Sequence, residues 1–325
     1  YSPADPWPAG SWNDISGTGT GQNQLFGVVE VVPEPSSSLL LILAAGIAAL
    51  GTLAETHDTL GGNVLFIATP DEENQSEGMK VAIERLDSLA GERALEWIGA
   101  LNLDYVDAPA AYRGAVGKTR VGLWLVGVPA HAGRPFQAVD AAQMAAEVVL
   151  RTTLTTALAE RRSDRVGALP VALRVRDLKP RYDVQTAAEA TVELNVLTFT
   201  FSPAEILERV RVVALAAVQE VLKRRDALRG ELTLEPPGSA QPSPIAITLA
   251  ELEARAPWNV DEVIRVLIGP GGLAEDAADA AIRRLRSLAA RARLIGPAVV
   301  VHELPPHYPA LPPCDGPVSR AAAVR

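Results

Sequence analysis

Three carboxylates in a row follow a short apolar run. Thr69-Pro70-Asp71-Glu72-Glu73-Asn74 comes directly after Asn63-Val64-Leu65-Phe66-Ile67-Ala68. Adjacent acids repel one another unless a cation or a proton neutralises them. Residues leaving a strand point in alternating directions. One glutamate can therefore hold a metal while its neighbour faces a metal-bound water. That layout suits metal-assisted hydrolysis, with a Lewis-acid ion and a carboxylate that takes the water's proton. The same triplet also suits the acidic first turn of a helix, where the helix dipole favours Asp and Glu. Other metal-binding types are scarce: the chain has four histidines, His57, His131, His302 and His307, and one cysteine, Cys314. A Cys-based zinc site and an internal disulfide are excluded, so any metal must use His, Asp and Glu.

The elements that would position these groups fall into two patterns. Residues 39–55 read as a helix, 63–68 as a buried strand of a mostly parallel sheet, 76–90 as a helix and 97–103 as another short apolar run ending at Asp104. Buried strands alternating with helices indicate an α/β layer, in which ligands bind beyond the carboxyl ends of the strands. The pattern then changes to a strand at 118–128, a helix at 138–158, strands at 169–175 and 190–199, a helix from Ser202 to about Arg225, and a strand at 230–235. Ser202-Pro203-Ala204-Glu205 has the form of a capping box with proline at the first helical position. The order β-α-β-β-α-β is the ferredoxin-like unit. Beyond a Pro/Ser-rich linker, helices are expected at 246–256, 261–267 and 274–293, the last as an amphipathic cover for a sheet. A strand follows at 298–302, and the proline-rich stretch after Pro305 reads as irregular, with His302 and His307 as loop residues rather than ligands.

The 325 residues, 48% hydrophobic and 21% charged, suit two globular domains. A net charge of −9 provides no electrostatic footprint for nucleic acid or an anionic membrane. The near absence of cysteine fits a reducing, cytoplasmic setting. The apolar segment 39–54 is 16 residues long, shorter than the ~20 of a usual membrane span. It reads as a buried core helix, with a membrane anchor as the alternative; its flanking Val32-Pro33-Glu34-Pro35-Ser36 resembles a bacterial C-terminal sorting signal.

Several motifs in order carry a family resemblance. The stretch from Phe66 through Asp71-Glu72-Glu73 to Met79 resembles the Asp-Glu-Glu motif of the two-zinc aminopeptidase/deacylase metallopeptidases. Asn102-Leu103-Asp104 stands where that family has a further acidic ligand. Tyr112 to Lys118 resembles the entry to its lid domain, and Gly127-Val128-Pro129-Ala130-His131-Ala132-Gly133-Arg134-Pro135-Phe136 the lid's histidine motif. Asp177-Leu178-Lys179-Pro180-Arg181-Tyr182-Asp183-Val184-Gln185-Thr186, Leu194 to Thr198 and Leu304 to Pro309 are similar to its arginine-utilisation (RocB-like) branch. The resemblance implies an α-β-α layered zinc-peptidase catalytic domain with an inserted ferredoxin-like α+β lid/dimerisation domain. The parts would be 1–116 and 237–325 for the catalytic domain and 117–236 for the lid. It further implies Glu72 as general base, Glu73 and Asp104 as zinc ligands, and His131 as donor to the oxyanion of the tetrahedral intermediate, reaching a partner subunit's site. Asn195 would be a substrate contact. Two zinc ions, a small peptide or N-acyl amino acid substrate, and a homodimer through the lid complete the expectation.

The chain departs from the family at defined places. The upstream His-x-Asp pair is absent, since no histidine precedes His57. Leu25-Phe26-Gly27 is followed by Val28-Val29-Glu30 where the family continues with Arg-Gly and then the Asp that bridges the metals. A distal histidine ligand is also missing, and His57-Asp58 lies on the wrong side of the apolar helix to replace the lost pair. The expectation is therefore a peptidase-like protein with an incomplete metal site. The alternatives are a non-catalytic, metal-free relative or a truncated fragment that keeps only fold and dimerisation.

Overall fold

In a computed structural model the chain forms two compact units, residues 1–114 with 313–325 and residues 115–312. The structure describes residues 24–30, 37–55, 63–69, 76–102, 114–161, 166–232, 234, 242–256 and 277–312.

The first unit contains β1 (Gln24–Glu30), α1 (Ser37–Glu55), β2 (Asn63–Phe66), α2 (Glu77–Arg93), β3 (Glu96–Trp97) and β4 (Leu101–Asn102). All its strand pairings are parallel: β1 is central, with β2 on one side and β3 and β4 in succession on the other. The single run expected at 97–103 is thus two short strands on one edge of β1. β1 covers Leu25-Phe26-Gly27 and the Val28-Val29-Glu30 that departs from the family pattern, a stretch to which the sequence assigned no element. Its local pattern is short and broken by Gly27, and its pairing partners are distant in sequence. α1 packs on β2 at Gly46, where a Cβ would come within 2.6 Å of the Phe66 ring. Ile47, by contrast, is 57% exposed, so the described half of α1 is not a fully buried core helix. Among the described residues no helix is long and apolar enough to cross a membrane.

The second unit contains β5 (Gly117–Val126), α3 (Ala141–Thr152), β6 (Val171–Asp177), β7 (Glu189–Thr198), α4 (Pro203–Glu231), β8 (Ile245–Thr248), α5 (Leu249–Arg255), α6 (Ala277–Ala292) and β9 (Ala298–Tyr308). Its sheet has the order β6-β7-β5-β9-β8, antiparallel except for the β8–β9 pair. Strand alternation sends Val121, Leu123, Leu125, Val192, Leu194, Val299 and Val301 to one face, where they pack with Met144, Val148, Ile206, Val210 and Val218 of α3 and α4. Trp124 and Val300 point to the other face, against Leu252, Ile282, Leu285 and Leu288 of α5 and α6. The result is a three-layer α/β/α sandwich. The capping box at the start of α4 is present in full, with Ser202 and Glu205 satisfying each other's backbone N–H groups.

The first four strands in the order β6-β7-β5-β9 reproduce the ferredoxin-like arrangement, but the fourth strand is β9 and not 230–235. α4 continues through Glu231, and Leu232 and Leu234 are 57% and 46% exposed. The chain from β8 to β9, expected in a second part of the catalytic domain at 237–325, belongs to this unit up to Pro312. The expected helix at 246–256 begins as β8. Its Ile245–Thr248 run pairs with β9, and Thr248 then caps α5 through a second capping box with Glu251. β9 continues past Pro305 to Tyr308, so His302 and His307 both lie in strand rather than loop. β8 reaches only as far as Val301, so beyond that point no strand among the described residues pairs with that side of β9, and prolines, which lack an N–H, are tolerated there.

Candidate functional site

Glu72, Glu73 and Asp104, together with Asp71 and His57, lie outside the described residues. The strands before the acids are described. Val29 of β1 is level with Phe66 of β2 on one side and with Leu101 of β4 on the other. Both flanking strands run parallel to β1 and end at the same edge. They are not neighbours, because β1 separates them. With ~4.8 Å between adjacent strands, the two chain exits stand ~10 Å apart across that edge. This is the edge at which open α/β sheets bind ligands.

His131 is exposed and lies on the turn that follows β5. Gly127 directly follows β5, where a Cβ would lie 2.3 Å from the Val139 carbonyl. The close approach lets Val128 and Val139 exchange backbone hydrogen bonds and fold the 129–138 turn back on itself. The Gly133 N–H donates to His131 Nδ1 at 3.0 Å. With Nδ1 accepting, a neutral imidazole carries its proton on Nε2, leaving that N–H as a donor. Such a donor suits a developing oxyanion. The turn is also braced from the side: the Ala132 N–H donates to the Val184 carbonyl (2.8 Å) and the Thr186 N–H to the Ala130 carbonyl (2.9 Å). The Ala130 N–H donates in turn to Thr186 Oγ1 (3.1 Å).

Asn195 occupies the other end of the same sheet. It sits on β7 between Arg120 of β5 and Val171 of β6, and its Oδ1 is buried without a hydrogen-bond partner. Beside it, Glu193 is paired with Arg120 at 3.0 Å and with Arg174 at 3.6 Å. Arg120 also donates to the Pro305 carbonyl at 2.5 Å. No local sequence signal marked this cluster, because its members come from three strands. From Arg120 to Val126 the sheet extends ~20 Å at ~3.3 Å per residue, and His131 lies further on still. The structure therefore does not bring His131 and Asn195 together within one copy.

Among the described residues no three His, Cys, Asp or Glu side chains gather as a metal site. His302 is 4% exposed, with its ring directly over Gly122. Burial, only partly offset by a contact with the Glu303 carbonyl and reinforced by the nearby Arg284 charge, pushes its pKa down to about 4. It is a neutral core histidine. His307 Nδ1 lies 3.4 Å from both Thr119 Oγ1 and Glu303 Oε1. Glu160 is another buried acid. Burial works against its charge, but the Thr200 hydroxyl and the N–H groups of Thr200, Phe199 and Phe201 more than offset this and hold its pKa below the usual value. It fastens the start of α4 to the segment after α3.

Taken together, these features define an α/β chain with a parallel sheet in one unit and a ferredoxin-like sheet, covered on both faces, in the other. No family model matches the chain. It is similar to protein RocB of Bacillus subtilis (strain 168), 30% identical over 185 residues, which are 55% of this chain and 33% of RocB. It is also similar to the uncharacterized protein YqjN of the same organism, 28% identical over 276 residues, 81% of this chain and 50% of YqjN. The chain thus spans half or less of the length of these curated relatives. Among solved structures, aminopeptidase PepT from Bacillus cereus ATCC 10987 is 16% identical, with 94% of this chain and 79% of that one covered and a TM-score of 0.39.

Proposed function

We propose that the chain is part of a peptidase- or amidohydrolase-like protein of the two-zinc aminopeptidase/deacylase type. It would act on a small peptide or N-acyl amino acid, in the cytoplasm and in amino-acid (arginine) catabolism, and its metal site would be incomplete. The observation that carries this reading is the level, parallel placement of β2 and β4 about β1. The Asp71-Glu72-Glu73 and Asp104 segments follow strands that end at one sheet edge. The similarity to RocB and the motif order support it.

In this reading Glu72 is the general base, Glu73 and Asp104 are metal ligands, and His131 donates to the oxyanion. Zinc, when bound, would supply Lewis acidity to water and carbonyl. The ligand set is short of the His-x-Asp pair, the bridging Asp and a distal His; His302 is a buried neutral histidine of the second unit's core, and His307 lies beside Thr119 and Glu303. Two carboxylates without imidazole suit a hydrated hard cation better than tight zinc. Because His131 and Asn195 stand at opposite ends of one sheet, a small substrate meets both only where two copies share it. This supports a homodimer through the ferredoxin-like unit.

Elemental analysis of the purified chain, together with hydrolysis and binding of a panel of dipeptides and N-acyl amino acids, tests the reading. The expected result is binding of panel members with substoichiometric zinc and no turnover. Stoichiometric zinc with turnover that vanishes in Glu72→Gln would overturn the incomplete site. Absence of binding across the panel would overturn the substrate class and favour the non-catalytic relative.

A further inference from the structure

His307 has no part in the proposed hydrolysis. It stands four residues after Glu303 on the same strand. In a regular strand that spacing separates two side chains by ~13 Å, at ~3.3 Å per residue. Here His307 Nδ1 lies 3.4 Å from Glu303 Oε1. The cause is a register shift. Lys118 is level with Tyr308 and Arg120 with Leu304, so three residues of β5 span five of β9. The two surplus residues are taken up as a bulge, which re-aims the side chains beside it. His307 Nδ1 also lies 3.4 Å from Thr119 Oγ1 on β5. Thr119 is buried, while the side chains of His307 and Glu303 are 37% and 36% exposed, so the cluster has a closed floor and an open mouth. The neighbouring cations are engaged elsewhere: Lys118 lies over the Tyr308 ring, and Arg120 pairs with Glu193.

Both contacts are long for hydrogen bonds. An N–H···O bond runs about 2.7–3.2 Å, and one to a carboxylate lies at the short end of that range. The spacing suits atoms that share a third. Around zinc, with bonds of ~2.0–2.2 Å, neighbouring ligand atoms of a tetrahedron stand about 3.3–3.6 Å apart. The same geometry excludes a nucleophile triad, which sets acid and nucleophile on opposite ring nitrogens. Both partners here face Nδ1.

We propose that His307 and Glu303, with Thr119 Oγ1 at the floor, form a site of the second unit's own for one divalent transition ion of the zinc type. An imidazole nitrogen and a carboxylate oxygen are ligands that such ions take. The open mouth leaves the remaining positions to water. A bound ion ties the end of β9 to β5 past the point that β8 reaches. With one imidazole the site is weak: it fills on titration and empties on dialysis, so it does not supply zinc to the dialysed chain. None of its residues belongs to the proposed hydrolytic site, and it stands independently of the peptidase-like reading.

The test is a zinc titration of the dialysed full chain in excess Mg²⁺, followed by NMR of the histidine ring signals. Magnesium takes oxygen ligands, so it competes for the acids after β2 and β4 but not for an imidazole. The His307 signal is the one missing from His307→Gln. It is expected to shift with zinc at micromolar concentrations and to saturate at one ion per chain. Glu303→Gln should weaken that binding by about tenfold or more, since a lost ligand costs no less than the 10–100-fold typical of a ligand's outer partners. Zinc should also raise the urea midpoint of the parent and leave that of His307→Gln in place. Urea denaturation without zinc checks that both exposed substitutions keep the fold. Zinc binding indifferent to both His307→Gln and Glu303→Gln overturns the proposal. So does a shift confined to the other histidines, and so does the absence of any shift at millimolar zinc. Each of these outcomes leaves the peptidase-like reading standing, because its ligands are other residues.

Discussion

His302 should make the second unit acid-sensitive at pH values well above those that protonate ordinary carboxylates. Its imidazole is buried on the face covered by α6, over the Cα of Gly122, and burial holds its pKa at about 4 against an ordinary 6.5. Between those values the unfolded chain binds a proton that the folded chain refuses. Stability therefore rises with pH across the window: the contribution is fully present above about 6.5 and is lost as pH falls toward 4. From pH 7 to pH 5 the loss comes to about 2 kcal/mol at ~1.4 kcal/mol per pH unit. Other groups titrate too, so the measurement is a difference: urea denaturation at pH 7 and pH 5 for the parent and for His302→Gln. The variant is expected to be weaker at pH 7 through lost packing, but its loss between the two pH values should be smaller than the parent's by about 2 kcal/mol. Equal losses in the two proteins would refute the argument, because the buried neutral ring would then not be the source of the pH dependence.

Three further perturbations follow from the same packing. Gly122→Ala places a methyl 2.4 Å from His302 Cε1 and 2.5 Å from Nε2, so thermal or urea unfolding should show a destabilisation of about 1–3 kcal/mol. Combining it with His302→Ala should recover part of that loss. Glu160→Gln keeps the shape but removes the charge that accepts from Thr200, Phe199 and Phe201, and should cost about 2 kcal/mol at pH 7. Because the pKa of Glu160 is held below 4.5, the difference from the parent should persist at neutral pH and shrink as acid protonates the native carboxylate. Ser202→Ala removes one half of a formed capping box and should cost about 1 kcal/mol, read as a lower denaturation midpoint with an unchanged slope.

The sequence made the order β5-α3-β6-β7-α4 legible because several of those elements carry their own pattern or cap: Val121 to Val126 is a short, almost wholly apolar run, Ala190 to Thr198 alternates, and Ser202 with Glu205 announces a helix start. The fourth strand was misplaced for a physical reason. Glu231-Leu232-Thr233-Leu234-Glu235 alternates like a strand, but strand pairing is a tertiary property, and the edge of β5 is taken by β9. Val299 to Val301 was legible as strand; its continuation through Pro305 and Pro306 was not, because the tolerance for proline arises where β9 runs past the end of β8. At the candidate site, the acids after β2 and β4 stand out in the sequence by composition. The presence of β1 between their strands was hidden, since Gln24 to Glu30 reads as a weak run and parallel pairing leaves no local mark. The Asp177–Thr186 stretch stood out as a motif, but its shape, held by Lys179 Nζ on the Asp183 and Gln185 carbonyls, depends on backbone groups that no residue pattern reveals.

In the proposed reading, the polarity of the groups at the two ends of the ferredoxin-like sheet would suit one kind of ligand. At the His131 end the hydrogen bond from Gly133 turns the imidazole into a donor, and Arg134 adds positive charge on the same turn. Both address an oxygen-rich, anionic group. At the Asn195 end the unmatched atom is an acceptor, Asn195 Oδ1, set beside Glu193, whose charge is already engaged by Arg120 and Arg174. A buried acceptor without a donor is costly; because Asn195 Oδ1 is enclosed, a ligand's amide N–H would relieve it only after the surrounding side chains move aside. The N-acyl amino acid of the proposed function carries an amide N–H, a carbonyl and a carboxylate within a few bonds, and would address both kinds of group. The ~20 Å of strand between the two ends rules out one copy doing so by itself. In the proposed reading, a two-fold pair of copies, each placing its His131 end near the Asn195 end of the other, would meet the requirement with a single repeated contact, as isologous dimers do.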